Sequence, residues 1–184
     1  MRLALERHGD SQGAAATGIE VEFAWAAPGT LALTYVVRGD IAALALPPPA
    51  ASLRTDELWR HTCLEAFVGT VGDPGYYEFN LAPSGQWAAY RFGGYREGMA
   101  DAADAVDPRI VTEASAERFT LRAVLALDAL PDLARDAAWR LALSAVIEGA
   151  DGRKSYWALA HPPGRADFHH ADGFSHEITA AERA

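Results

Sequence analysis

The chain has 184 residues, 50% hydrophobic and 22% charged, which is long enough for one well-filled domain and too apolar for a disordered one. A net charge of -9 and a pI near 5.0 argue against a sequence-independent grip on phosphates, which needs clustered Lys and Arg, so nucleic acid is not an expected partner. The single cysteine, Cys63, excludes an intramolecular disulfide and a cysteine-based zinc site, because both need partner thiols.

Residues 1–18 carry no apolar run of signal-peptide length, since Glu6, Arg7, His8 and Asp10 interrupt it, and they are expected to be loosely ordered. No stretch approaches the roughly 20 apolar residues needed to cross a bilayer, so no membrane partner is expected and the default compartment is the cytoplasm. Ile19, Val21, Phe23 and Trp25 alternate with Glu20, Glu22 and Ala24, the period-2 pattern of a strand with one buried face. Pro28-Gly29 marks a turn, and Leu31, Leu33, Tyr35 and Val37 alternate again up to Gly39-Asp40, which completes a hairpin. Ile41 to Leu46 reads as a further short strand, stopped by Pro47, Pro48 and Pro49, which have no backbone donor for a central ladder.

Glu57 to Arg96 reads as three consecutive strands. Pairing the first antiparallel to the second so that Val68 faces Tyr77 puts Ala66 opposite Phe79 and Leu64 opposite Leu81, all on one apolar side. The other side then holds Cys63, Glu65 and Phe67 opposite Ala82, Asn80 and Glu78. Extending the same separation to the third strand sets Ala88, Tyr90 and Phe92 on the core side and Trp87, Ala89 and Arg91 on the polar side.

Glu97 to Pro108 reads as a loop, and Phe119 to Leu127 as a long strand. Leu130 to Ala138 is a short amphipathic helix candidate opening at Pro131, Trp139 to Ile147 returns to the β pattern, and Asp151-Gly152 turns into a strand over Ser155 to Ala160. The tail from Pro162 to His176 is loop-like. Eight or nine short strands with little helix indicate an all-β fold: an antiparallel β-sandwich with one short helix, in a single domain over residues 1–184.

Leu58-Trp59, Thr62 to Phe67, Tyr77-Glu78-Phe79-Asn80, Pro83-Ser84-Gly85 and Tyr90-Arg91-Phe92 together resemble the DOMON-like proteins, β-sandwich domains related to family 9 carbohydrate-binding modules. Ser144 to Glu148, Lys154 to Pro163 and Asp167 to Phe174 resemble the C-terminal part of a small bacterial branch of that superfamily, so the likeness spans nearly the whole chain. The resemblance implies a jelly-roll-like sandwich that binds sugar or haem without catalysis. In sugar-binding relatives an aromatic clamp holds the ring while carboxylates and amides meet its hydroxyls, for which Trp59, Glu65, Asn80 and Trp87 are counterparts in kind. Haem-binding relatives use a Met with His or Lys, and the methionines of this chain are Met1 and Met99.

Read from the residues themselves, Glu65, Asn80, Glu78 and Arg91 could line a concave face able to accept and donate hydrogen bonds to a polyhydroxylated ligand, with Trp87 at its margin and His61, near Trp59, as a further contact. The alternative is a solvated face with a Glu78 to Arg91 cross-strand pair. His161, His169, His170 and His176 have the residue type of a metal site, but adjacent histidines on an extended segment point to opposite sides, so no metal or other cofactor is expected. The expected function is therefore non-catalytic binding of a small polar ligand, carbohydrate or similar. Its rivals are a glycoside-active enzyme using Glu65 and Glu78, a protein-interaction module and a haem-binding domain.

Overall fold

In the computed structural model, which describes residues 1–183, the chain forms twelve strands and no α-helix among those residues. They are β1 (Arg2–Arg7), β2 (Ala16–Ala27), β3 (Thr30–Gly39), β4 (Cys63–Thr70), β5 (Tyr76–Leu81), β6 (Trp87–Phe92), β7 (Ala100–Asp101), β8 (Arg109–Ala114), β9 (Arg118–Ala126), β10 (Trp139–Glu148), β11 (Lys154–Ala158) and β12 (His176–Ile178). One sheet runs β8-β9-β3-β2-β1 and the other β7-β6-β5-β4-β10-β11, each strand antiparallel to its neighbour. The two pack face to face as an antiparallel β-sandwich. The N-terminal residues are not loose: Arg2 to Leu5 pair with β2 while Glu6 and Arg7 pair with β11, so β1 carries one sheet into the other.

Alternation explains the first sheet directly. Ile19, Val21 and Phe23 of β2, Leu33 and Tyr35 of β3 and Leu121 of β9 are buried against the second sheet, whereas Glu20, Glu22 and Arg38 lie on the outer side. The second sheet differs, because every residue of β4 and of β5 is buried and both of its faces are therefore covered. Its inner face supplies Leu64, Ala66, Val68, Tyr77, Phe79 and Leu81 to the main core, each large apolar side chain adding roughly 1.5–3 kcal/mol by burial. Its outer face carries a second apolar cluster of Phe67, Tyr76, Ala88, Tyr90, Phe92 and Ala142.

The β4–β5 register matches the expected one, with Leu64 opposite Leu81, Ala66 opposite Phe79 and Val68 opposite Tyr77. The β5–β6 register does not. Leu81 faces Trp87, Phe79 faces Ala89 and Tyr77 faces Arg91, so Trp87 and Ala89 join the main core while Tyr90 and Phe92 lie on the outer face. A one-residue difference in register exchanges the two faces of a strand. The Ala82–Gln86 connection fixes it here, closed by the Ala82 N–H donating to the Gln86 carbonyl at 3.0 Å.

Two further segments differ from their sequence reading. Ile41–Ala43 is a 3-10 turn followed by a single bridge from Leu44 to Gly149, not a strand. The helix expected over Leu130 to Ala138 is absent; a 3-10 turn at Leu127–Ala129 precedes it, and turns and bends follow.

Candidate functional site

The outer face of the second sheet is roofed by two irregular segments. β11 and β12 take successive parts of the same edge of β10, pairing with Ser144 to Glu148 and with Trp139 to Leu141, so the chain between them must loop out over the sheet. That loop brings Phe168, His169 and Phe174 down onto Phe67 and Tyr76. From the other side the 3-10 turn Leu58–Arg60 lays Trp59 edge-on against Tyr90, ring centroids 5.7 Å apart.

Between the two roofs remains a cavity of ≈ 430 Å³. Glu65, Glu78, Phe92 and Val146 form its floor, Trp59, Tyr156, Ala166, Phe168 and His169 its walls, and Arg96 and Met99 its mouth. Among the described residues, the two non-glycine residues with positive φ, Glu57 at 63° and Arg96 at 54°, sit on segments that build it. The left-handed region is costly for such residues, so surrounding contacts must hold them there. For Arg96 the backbone N–H donates to the Tyr76 hydroxyl at 3.2 Å and the guanidinium binds Asp167 at 2.8 Å.

The floor is an ordered polar chain in an apolar setting. Cys63 Sγ donates to Asn80 Oδ1 at 3.3 Å, and Asn80 Nδ2 donates to Glu78 Oε1 at 2.6 Å. Ser144 Oγ donates to Glu65 Oε2 at 3.2 Å, while Glu65 Oε1, buried, has no hydrogen-bond partner. Beneath it, Tyr35 reaches across the sandwich to donate to the Glu65 carbonyl at 2.6 Å. Glu65 is 2% exposed, Glu78 4% and Asn80 0%, so both carboxyls are removed from water.

That burial decides their charge. Burial and the neighbouring Glu78 push the Glu65 carboxyl well above the usual carboxylate range, against the Ser144 hydrogen bond and Arg96. Burial likewise pushes Glu78 up to about 7, opposed by the Asn80 hydrogen bond and Arg96. Burial lowers His169 to about 4, with Arg96 adding to the effect. His169 Nε2 lies 3.7 Å from Glu78 Oε2, within ion-pair range, but these opposite shifts favour the neutral form of both groups, so this is a contact between uncharged partners from about pH 4 to about pH 7. Tyr76 OH lies 2.8 Å from His169 Nδ1 and also accepts from the Arg96 N–H at 3.2 Å, so the phenol links the imidazole to the cavity mouth.

Of the residues expected at the site, Trp59, Glu65 and Glu78 line this cavity, and Asn80 lies directly under it. Trp87 and Arg91 project from the opposite face of the sheet, because of the β5–β6 register: Trp87 is 4% exposed in the main core and Arg91 pairs with Asp132 near the solvent. The Glu78 to Arg91 pair is correspondingly absent. His61 does not line the cavity; its side chain is 71% exposed and pairs with Glu148 at 2.7 Å. Sequence reasoning missed Phe92 through the same register, and Arg96, Met99, Tyr156, Phe168 and His169 because irregular segments or the far strand β11 bring them in. The other histidines disperse. His161 packs edge-on against His8, His170 accepts from the Asp172 N–H, and His176 packs on Phe23; among the described residues no three His, Cys, Asp or Glu side chains converge as a metal site.

No family model matches this chain, and no curated protein matches it either. Solved structures do. A candidate carbohydrate-binding protein from Bacteroides uniformis is 15% identical with a TM-score of 0.69, over 94% of this chain and 83% of that one. A family 9 carbohydrate-binding module from Caldicellulosiruptor kristjanssonii, seen in complex with cellotriose, is 12% identical with a TM-score of 0.48, over 87% of this chain and 74% of that one. At 15% identity, what this chain shares with the Bacteroides protein is the β-sandwich itself.

Proposed function

We propose that this chain is a non-catalytic binding domain that holds a small polar ligand, a carbohydrate in the first instance, in the cavity above Glu65 and Glu78. The observation that carries this reading is Glu65: a buried carboxyl lining an aromatic-walled cavity, one oxygen anchored by Ser144 and the other without a partner. An unsatisfied buried polar atom costs about 1–3 kcal/mol, a cost that a ligand hydroxyl or amine hydrogen-bonding to it would remove. The volume of ≈ 430 Å³ falls within the range of small-molecule sites and suits a single ring. Trp59 and Phe168 supply flat apolar faces for the weakly polar side of such a ring. The description of the Bacteroides protein as a candidate carbohydrate-binding protein agrees with this choice of ligand class.

Absence of catalysis is supported by geometry. Glycoside hydrolysis needs two carboxyls flanking the scissile bond, one on either side of the sugar. Glu65 and Glu78 project from neighbouring strands on the same face of one sheet, and both meet a ligand from below. The test is calorimetry against a panel of monosaccharides with Trp59→Ala and Phe168→Ala. Each should weaken binding by about 1–3 kcal/mol, the value of an aromatic contact in a desolvated site. Unchanged affinity in both variants would remove the cavity from consideration.

A further inference from the structure

We propose that the ligand of this cavity carries a protonated amine seated between the Glu65 and Glu78 carboxyls. The inference rests on the binding reading above and narrows it. Each carboxyl is anchored by one oxygen only. Ser144 holds Glu65 Oε2 and Asn80 holds Glu78 Oε1. The remaining oxygens are Glu65 Oε1, without a partner, and Glu78 Oε2, which has only the His169 nitrogen at 3.7 Å, too far for a hydrogen bond. Two carboxyl oxygens on adjacent strands are thus left for one ligand.

No cationic side chain donates to them, and Arg96 acts on both only at a distance. Arg96 at the mouth is committed to Asp167, which its guanidinium, Tyr95 and the His169 N–H hold below the ordinary carboxylate range despite burial. From the other packed elements the titratable neighbours are Cys63 and Tyr35 below, Tyr76 and His169 behind, and Tyr156 on β11; burial holds the Tyr35 phenol protonated. Burial keeps the Cys63 thiol, the Tyr76 phenol and the His169 imidazole uncharged. A neutral hydroxyl could satisfy one oxygen yet would leave two buried acids side by side. An ammonium can donate to both, its single charge balancing one carboxylate as that carboxyl gives up its proton, and the aromatic lining of Trp59, Phe92 and Phe168 suits a cation.

Calorimetry with D-glucosamine, D-glucose, N-acetyl-D-glucosamine and cyclohexylammonium tests the proposal on the intact protein. Glucosamine should bind at least about tenfold more tightly than both neutral sugars near pH 7, equivalent to one pKa unit of preference. Titration in two buffers of different ionisation enthalpy should show proton release with the amine and none with glucose. Cyclohexylammonium, whose amine stays charged throughout, should weaken by about tenfold or more between about pH 8 and about pH 5 as Glu78 takes up its proton. If it binds as tightly as glucosamine, the ligand is an amine without a sugar: the proposal stands and the carbohydrate reading falls. If glucose, N-acetylglucosamine and glucosamine bind alike, the proposal falls and the carbohydrate reading stands. Binding by none of the four overturns both. Glu65→Gln should abolish the amine preference; since that variant removes a buried acid and could alter folding, the buffer-dependent proton count on the unmodified chain decides independently.

Discussion

At the residue scale, the second sheet separates side chains that look interchangeable in the sequence. Trp87 is a core residue, so Trp87→Ala should cost about 3–5 kcal/mol in denaturant unfolding, whereas the half-buried Trp59 should cost far less and act on binding instead. Glu78 and His169 make a sharper pair. Glu78 has its folded pKa raised to about 7, so the folded state holds a proton that the unfolded chain loses above its ordinary value, and its contribution falls as pH rises from about 4.5 to about 7. His169 has its folded pKa lowered to about 4, so the unfolded chain takes up a proton first, and its contribution falls as pH drops from about 6.5 to about 4. The two slopes oppose each other over the shared window. Glu65, raised in the same direction, adds to the Glu78 slope, so Glu78→Gln should gain less stability than the parent chain on acidification through that window, and His169→Gln should gain more. Thermal melts at closely spaced pH values read both, and parallel profiles for the two variants would contradict the assignment.

At the element scale, what was legible depended on whether one face or both are buried. Strand β4 pairs with β5 as the alternation dictates, because Leu64, Ala66 and Val68 have apolar partners in one register only. In Trp87-Ala88-Ala89-Tyr90-Arg91-Phe92 both alternate sets are mostly apolar, and Arg91 argued for turning its set outward. The structure resolves that conflict at the strand's end, where Arg91 remains 56% exposed by its side chain and pairs with Asp132 while its neighbours Trp87 and Ala89 fill the core. Tyr90 and Phe92 find burial under Trp59 and the 159–175 loop, a roof of irregular chain that no periodicity marks. Loop chemistry, by contrast, makes its own demand at Gly39, with φ at 142° where β3 closes on Ala16 and a Cβ would lie 2.0 Å from the Ala15 carbonyl oxygen. Gly39→Ala should destabilise by at least about 1–3 kcal/mol through that clash and backbone strain, visible as a lowered urea midpoint; an unchanged midpoint would mean the β2–β3 end shifts freely.

At the scale of the whole molecule, the sandwich is asymmetric. The first sheet meets solvent with its charged outer face, and the second is buried on both sides, which is what allows carboxyls to sit in a floor away from water. The two sheets are joined along the backbone by β1, whose first four residues pair with β2 and whose last two pair with β11. Leu5 lies at the crossing, 5% exposed within the main core. If β1 ties the sheets into one cooperative unit, Leu5→Ala should lower stability by about 2–5 kcal/mol, the usual cost of a buried Leu truncation, while the dependence of unfolding on urea stays as steep as in the parent chain. The cavity lies on the outer face of the second sheet, away from Leu5, so ligand affinity should not change in the folded fraction. A shallower slope, or separate transitions for fluorescence and circular dichroism, would instead mean that the sheets unfold independently and that β1 merely lies across them.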